Sequence, residues 1–266
     1  METIKLYLKL VGISIRSQMQ YRTSFVIMTL GLAVVTLIEF LAIWVLFERF
    51  GSLRSWSLPE VGMFYGLAHS SFAIAVGLAR GFDIFHRQVV DGKFDRVLLR
   101  PQSTVLQILG QQIQLLRLGR LSQGLVILLW ACMTLEIQWT VYKGALLLFA
   151  ILGGVMLFTG ILIIQATFSF WSVQGVGFMN AFTHGGVQMG QYPLAIFRGW
   201  LRKFFLFIIP LGCTIYFPVL LIIGRQDPLG TSPLFQALSP LAGLLFLLLS
   251  LQIWRFGIRR YQSTGS

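Results

Sequence analysis

Apolar and polar positions in this chain alternate on the scale of whole segments rather than single residues. Phe25 to Phe47 is an apolar run interrupted only by Thr29, Thr36 and Glu39. As a helix rising 1.5 Å per residue it reaches ~35 Å, enough for the roughly 30 Å hydrocarbon core of a bilayer. Val61 to Ala79, Leu121 to Ile137, Ala145 to Phe170 and Leu234 to Trp254 repeat the pattern. The second of these carries Gly62-xxx-Gly66 and Gly77-xxx-Gly81, spacings that permit close approach of a neighbouring helix.

Between Trp171 and Ile223 the pattern blurs. Val176 to Gly190 is weakly apolar and holds Asn180, His184 and four glycines; Phe204 to Ile223 is strongly apolar but interrupted by Pro210 and Pro218. Hydropathy alone makes 204–223 the fifth of six spans. That arrangement keeps all 21 Lys and Arg residues on the cytoplasmic side except Arg49, Arg54, Lys143 and Arg225, as the positive-inside bias prefers. Making 176–190 the fifth span moves Arg198, Arg202 and Lys203 outside. Either arrangement predicts an all-α membrane protein of six transmembrane helices with both termini in the cytoplasm.

Residues 1–22 are different in kind. Lys5, Lys9, Arg16 and Gln20 share one narrow helical face, and Ile4, Leu8, Val11, Ile15 and Met19 form the adjacent apolar stripe. This reads as an interfacial helix lying along the membrane surface. No small-residue cleavage site follows it, so it does not read as a removable signal peptide.

Composition agrees: 56% of the 266 residues are hydrophobic and 11% are charged, against about 25% charged in soluble domains. The net charge of +12 sits at segment ends rather than in a groove-lining patch, which argues against nucleic acid as a partner. Cys132 and Cys213 both lie in apolar runs, and no metal-ligand spacing occurs.

Opposite charges are dense only between Arg80 and Pro101, where Arg80, Arg87, Lys93, Arg96 and Arg100 share a short window with Asp83, Asp91 and Asp95. Asp91-Gly92 signals a turn, and Pro101 ends the run that follows it. Phe94, Val97 and Leu98 recur at i, i+3 and i+4 and so share one face of a short helix. There is no phosphate-cradling G-x-x-x-x-G-K-[ST], and no loop is long enough for an ATPase domain. HExxH, G-x-S-x-G and paired intramembrane aspartates are also missing, so the chain does not read as an enzyme. A secondary transporter would want an internal repeat; none is evident. A secondary transporter, or another polytopic membrane scaffold without an ATPase partner, is the alternative.

The run Gly92-Lys93-Phe94-Asp95-Arg96-Val97-Leu98-Leu99-Arg100-Pro101 resembles the permease subunits of type-2 ABC exporters. So does the later series Tyr192-Pro193, Ile209-Pro210 and Tyr216-Phe217-Pro218. The resemblance covers nearly the whole chain as a single permease domain, residues 1–266. It implies a cytoplasmic coupling loop over 80–104 and a fifth span over 176–190. It also implies a re-entrant helix pair over 193–223, marked by Tyr192, Pro193, Pro210 and Pro218. It further implies two separate ABC ATPase subunits that bind the ATP and Mg, no cofactor or metal held by this chain, and a second permease, identical or related. The implied location is the bacterial cytoplasmic (inner) membrane, and the cargo a drug-like or lipid-like molecule.

On that reading Phe94, Val97 and Leu98 fill a groove on the ATPase, with Asp95, Arg96 and Arg100 at its rim. Ionisable residues inside the spans are the other candidates. Glu39 lies roughly 12 Å below Phe47, His69 roughly 13 Å below Glu60, and His184 roughly 9 Å from Gly190. The expectation is that Glu39 and His69 meet at one depth, joined by His184, either as a hydrogen bond that fixes the first two spans or as a polar patch or proton-linked gate in the outer half of the pathway, since intramembrane polar groups seek partners.

Overall fold

The computed structural model describes residues 2–172 and 175–262, with side chains from Val11 onward apart from a few around 175; Lys5, Lys9, Ile4 and Leu8 lie outside the described side chains. It is all-α. Among the described residues, five helices are long and apolar enough to cross a membrane: α2 (Arg22–Phe50), α3 (Leu58–Leu78), α8 with its lead-in turn (Leu115–Thr134), α9 (Val141–Phe168) and α14 (Leu241–Arg260). A helix pair, Gly199–Ile208 and Gly212–Ile223, is apolar enough to join them but is bent by 83°. α1 (Glu2–Met19) precedes the spans. The short helices α4 (Arg80–Asp83), α5 (Phe85–Val90), α6 (Phe94–Leu98) and α7 (Thr104–Gln111) link α3 to α8. This linking end of the bundle is the near end below, and the other is the far end.

The central helix is α3. A capping box starts it: Glu60 Oε2 accepts from the Ser57 backbone N–H at 2.7 Å and from the Ser57 hydroxyl at 3.0 Å. From Val61 to Val76 almost every residue is buried. Glycine makes this possible against α8: a Cβ on Gly66 would fall 2.6 Å from Leu128 Cβ and 2.8 Å from the Gly124 carbonyl. Helices α9 and α14 meet in the same way, with Gly243 against the Gly153 backbone. Small residues allow such crossings, and close packing then supplies the attraction that hydrophobicity cannot supply in lipid.

Several boundaries differ from the pattern-based expectation. The lead-in to α8 is not a continuous helix, because Gln112–Gln114 is extended. Its freed backbone groups are taken up by neighbours. Gln114 N–H donates to the Gly77 carbonyl (2.9 Å), Ile113 N–H to Ser14 Oγ (3.0 Å) and Leu115 N–H to Gln18 Oε1 (3.0 Å); Gln18 also donates to the Ile113 carbonyl. Thus α1 pins a helix break. The last span is also shorter and later. Residues Pro233–Leu238 form a separate helix, α13, and α14 starts only after Pro240, which lacks the N–H to continue a helix.

The two prolines of the bent pair act differently. Pro210 sits at the break between the limbs. Pro218 lies in α12 (Phe217–Ile223), directly after a wide π-type stretch over Gly212–Tyr216 in the same continuous helix, and the widened turn makes room for a ring that lacks its N–H. Between α10 (Gly175–Gly190) and α11 (Gly199–Lys203), which begins the first limb, Tyr192 is half-buried and buried Pro193 opens a 3₁₀ turn over Leu194–Ile196. The second limb is buried from Gly212 to Leu220 apart from half-buried Cys213, whereas Trp200, Phe207 and Ile208 on the first are exposed.

Candidate functional site

The charged element folds around one phenylalanine. Gly92, at φ 63°, turns the chain between α5 and α6, and Lys93 N–H closes the turn onto the Gln88 carbonyl at 2.9 Å. Phe94 then enters a cluster of rings: Phe85 at 5.0 Å, Tyr261 at 5.1 Å, Phe170 at 5.4 Å and Trp254 at 6.2 Å between centroids. Trp254 is fully buried and donates from Nε1 to Thr104 Oγ1 at 3.2 Å. Edge-to-face packing dominates the cluster, and each such pair adds about 0.5–1.5 kcal/mol beyond area burial. The element is therefore joined to the ends of α9 and α14.

This reverses part of the sequence expectation. Phe94 and Val97 are buried within the chain, so they do not form an outward face with Leu98. The aromatic pocket offered by Phe170, Trp254 and Tyr261 takes the i, i+3 face inward. What remains outside is Leu98 (39% exposed) and Leu99 (84%), with exposed Arg96 and Arg100 on either side and Asp95 half-buried. Beside them lies a groove of about 460 Å³ bordered by Ile84, Arg87, Lys93, Arg96 and Arg100. Asp91, the acidic residue on that border, is paired with Lys93 at 2.6 Å.

The intramembrane polar residues pair differently than expected. Glu39 on α2 faces Arg120 on α8 at 3.9 Å, not His69. His69 Nε2 meets Gln191 Oε1 at 3.1 Å just beyond α10, and its ring stacks on Tyr65 at 3.9 Å. Tyr65 in turn donates to the Thr36 carbonyl of α2 at 2.9 Å. His184 packs edge-on to Phe72 at 5.6 Å, and the Arg120 guanidinium lies 5.6 Å from the same ring. A second chain runs toward the near end: Thr183 Oγ1 donates to Gln165 Oε1 (2.7 Å), Gln165 Nε2 donates to Asp83 (3.3 Å), and Asp83 pairs with Arg80. Glu39, His69 and His184 thus share one neighbourhood without touching one another. Arg120, Gln165 and Gln191 were missed by sequence reasoning. Arg120 stands one residue before the apolar run that starts at Leu121, and only the structure draws it into the membrane window Leu115–Thr134.

At the far end a latch holds the second limb. Arg225, just past α12, pairs with Glu60 at 2.7 Å, donates to the Ser55 carbonyl (3.1 Å) and Oγ (2.8 Å), and stacks 3.8 Å over buried Trp56.

A family model described as "ABC-2 family transporter protein" matches residues 33–265. The chain belongs to the ABC-2 transporter family. The resemblance carried by the Gly92–Pro101 run and the later proline series is thereby borne out at the level of family, and the protein is a multi-pass membrane permease of that family. Comparison with curated proteins and with solved structures gives no significant match.

Proposed function

We propose that this ABC-2 permease is the membrane subunit of an exporter, lining the pathway and driven by a separate ATP-binding-cassette ATPase. The observation that carries the reading is the exposed Leu98-Leu99 tip between Arg96 and Arg100, on an element anchored through Phe94 to α9 and α14. Large apolar side chains exposed outside the spans favour a protein partner. A tip anchored in this way can pass displacement into the spans. Energy reaches the pathway only if the tip contacts the ATPase differently in its two states.

The proposal extends to arrangement. The near end, rich in Lys and Arg, is cytoplasmic, as are both termini, in a bacterial cytoplasmic membrane. ATP and Mg²⁺ bind to a pair of ATPase subunits, and a second permease completes the pathway. On this proposal α10 is the fifth span and Gly199–Ile223 is a re-entrant pair dipping from the outer side, a reading that the 83° bend supports. In support, broken helices are tolerated at membrane depth where protein surrounds them, as it does the second limb here.

Two experiments test this. Leu98→Asp with Leu99→Asp should reduce ATPase copurification at least about tenfold, as loss of an apolar hot spot does, while membrane insertion stays normal. Undiminished copurification would sink the coupling role. For topology, Arg202→Cys in a background lacking Cys132 and Cys213 should react with a membrane-impermeant thiol reagent added outside; labelling only from the cytoplasmic side would restore 204–223 as a straight span.

A further inference from the structure

Asp83 is built tightly into the charged element. A Cβ on its neighbour Gly81 would collide with the Ile108 carbonyl, so α4 and α7 meet at backbone distance. Phe82 packs edge-on to Trp254 at 5.2 Å, and Phe85 and Phe94 pack on the same indole at 5.0 and 6.2 Å. The ring cluster that anchors the Leu98-Leu99 tip therefore carries Asp83 as well.

From Asp83 one buried side chain reaches α10. Gln165 on α9 is 1% exposed and bridges Asp83 and Thr183, itself 1% exposed. The Asp83 carboxylate, paired with Arg80, only accepts. The Gln165 amide N–H must then face Asp83 Oδ1 (3.3 Å), which leaves Oε1 for the Thr183 hydroxyl (2.7 Å).

At its other end the bridge meets a loosely held helix. Among the described residues of α10 those buried are Thr183, Gly186, Val187 and Gly190, one stripe at three- and four-residue spacing. Val187 is the one bulky, wholly apolar side chain in it. A Cβ on Gly186 would meet Leu211 and Phe158 at 3.5 and 3.8 Å, an ordinary contact, so no neighbour requires a glycine there and packing is left unused. The outer stripe, Gly177, Ala181, His184 and Gln188, is exposed. Few buried apolar contacts mean low local stability, so one hydrogen bond is a large share of what positions α10. Nor are the groups it joins orphaned when it parts. Thr183 Oγ1 also lies 3.3 Å from the Met179 carbonyl one turn back, and Asp83 keeps Arg80.

The geometry points to Gln165 as the positioning residue through which displacement of the charged element is passed to α10. It is a link between a rigid part and a loose one, and it biases α10 only if Asp83 sits differently in the two states of the motor. Motor and pathway are taken from the function proposed above; the Asp83–Gln165–Thr183 link is not.

Spin labels on Ala181→Cys of α10 and Leu152→Cys of α9, both exposed positions, report where α10 lies. They are placed in a background lacking Cys132 and Cys213, in the permease–ATPase complex in nanodiscs. Trapping with ATP and vanadate should shift the distance between them. Gln165→Leu should abolish the shift, as should Thr183→Val, which keeps the shape of threonine without its hydroxyl; ATPase copurification and ATP hydrolysis should be retained in both. Thr183→Ser should keep the shift, and so should Ser250→Ala, at a buried hydroxyl on α14. A shift that survives either disruptive variant, or is absent from wild type, overturns the link. So does loss of ATP hydrolysis together with the shift, which would place Gln165 in docking instead. Should Gln165→Leu not fold, Thr183→Val decides alone. If wild type captures no ATPase, the exporter reading fails by itself, and the link is judged in the permease alone. There Thr183→Val should broaden the label distances relative to wild type and Thr183→Ser, and an unchanged width overturns the link.

Discussion

The first two membrane helices invert the rule that works for soluble proteins. α2 is the more apolar, yet only 17% of its membrane window is buried; α3 carries His69, Ser70 and Ser71 and is 83% buried. α2 packs by one stripe, Thr36, Phe40, Ile43 and Phe47, and leaves Ile27, Val34, Ile38 and Val45 exposed. α3 packs on every side. Lipid tails are as apolar as Leu, so apolar surface alone gains nothing by turning inward. What turns inward is what the bilayer cannot satisfy, namely polar side chains, and what lets backbones approach, namely small residues. The central helix is thus found by its glycines and hydroxyls, not by its hydropathy.

The strongest attempt to break this contrast is a bulky residue on each helix. Gly66→Leu would drive a side chain into Leu128 and the Gly124 backbone, and should cost at least about 3 kcal/mol, the upper end for overpacking where flexible neighbours are absent. Loss of the monodisperse, heat-stable protein in detergent would register it. Val45→Leu on α2 should leave the melting profile unchanged. Equal damage from both would remove the distinction between a packed α3 and a lipid-facing α2.

A smaller effect is expected from the polar core. His69→Leu leaves Gln191 Oε1 without its imidazole partner and breaks the stack on Tyr65, which should cost about 1–3 kcal/mol, the desolvation penalty of an orphaned buried group. Gln191→Leu combined with it should recover part of the loss, because both partners are then removed. A double mutant no better than the single would show that the pair does not hold α3 to α10.

The smallest effect tests α2 directly. Glu39 is 32% exposed and sits 3.9 Å from Arg120, with no hydrogen bond on Oε2. Glu39→Gln keeps an oxygen acceptor facing Arg120 and gives up no direct hydrogen bond at 3.9 Å, so it should change stability by no more than about 1 kcal/mol, while Glu39→Leu, which leaves Arg120 without a polar partner there, should reduce assembly. If Gln lowers transport at normal expression, the charge serves the pathway rather than the packing. Normal transport in both variants would defeat either role.

The sequence by itself determined how many apolar segments there are, where most of them begin and end, the chain's family, and the turn at Asp91-Gly92. Each of these rests on local composition: the length of an apolar run, a glycine where φ is positive, a proline where a helix stops. Tertiary structure decided the rest. Phe94, Val97 and Leu98 share a face in sequence, but the pocket between Phe170, Trp254 and Tyr261 determined that two of them turn inward and that Leu98 stays out with Leu99. Depth counting brought Glu39 and His69 level, but the reach of Arg120 and the end of α10 determined their partners. The physical reason is common to both. In a bilayer the hydropathy of a span does not distinguish the face that meets protein from the face that meets lipid, so partner choice lies in contacts between residues distant in the chain.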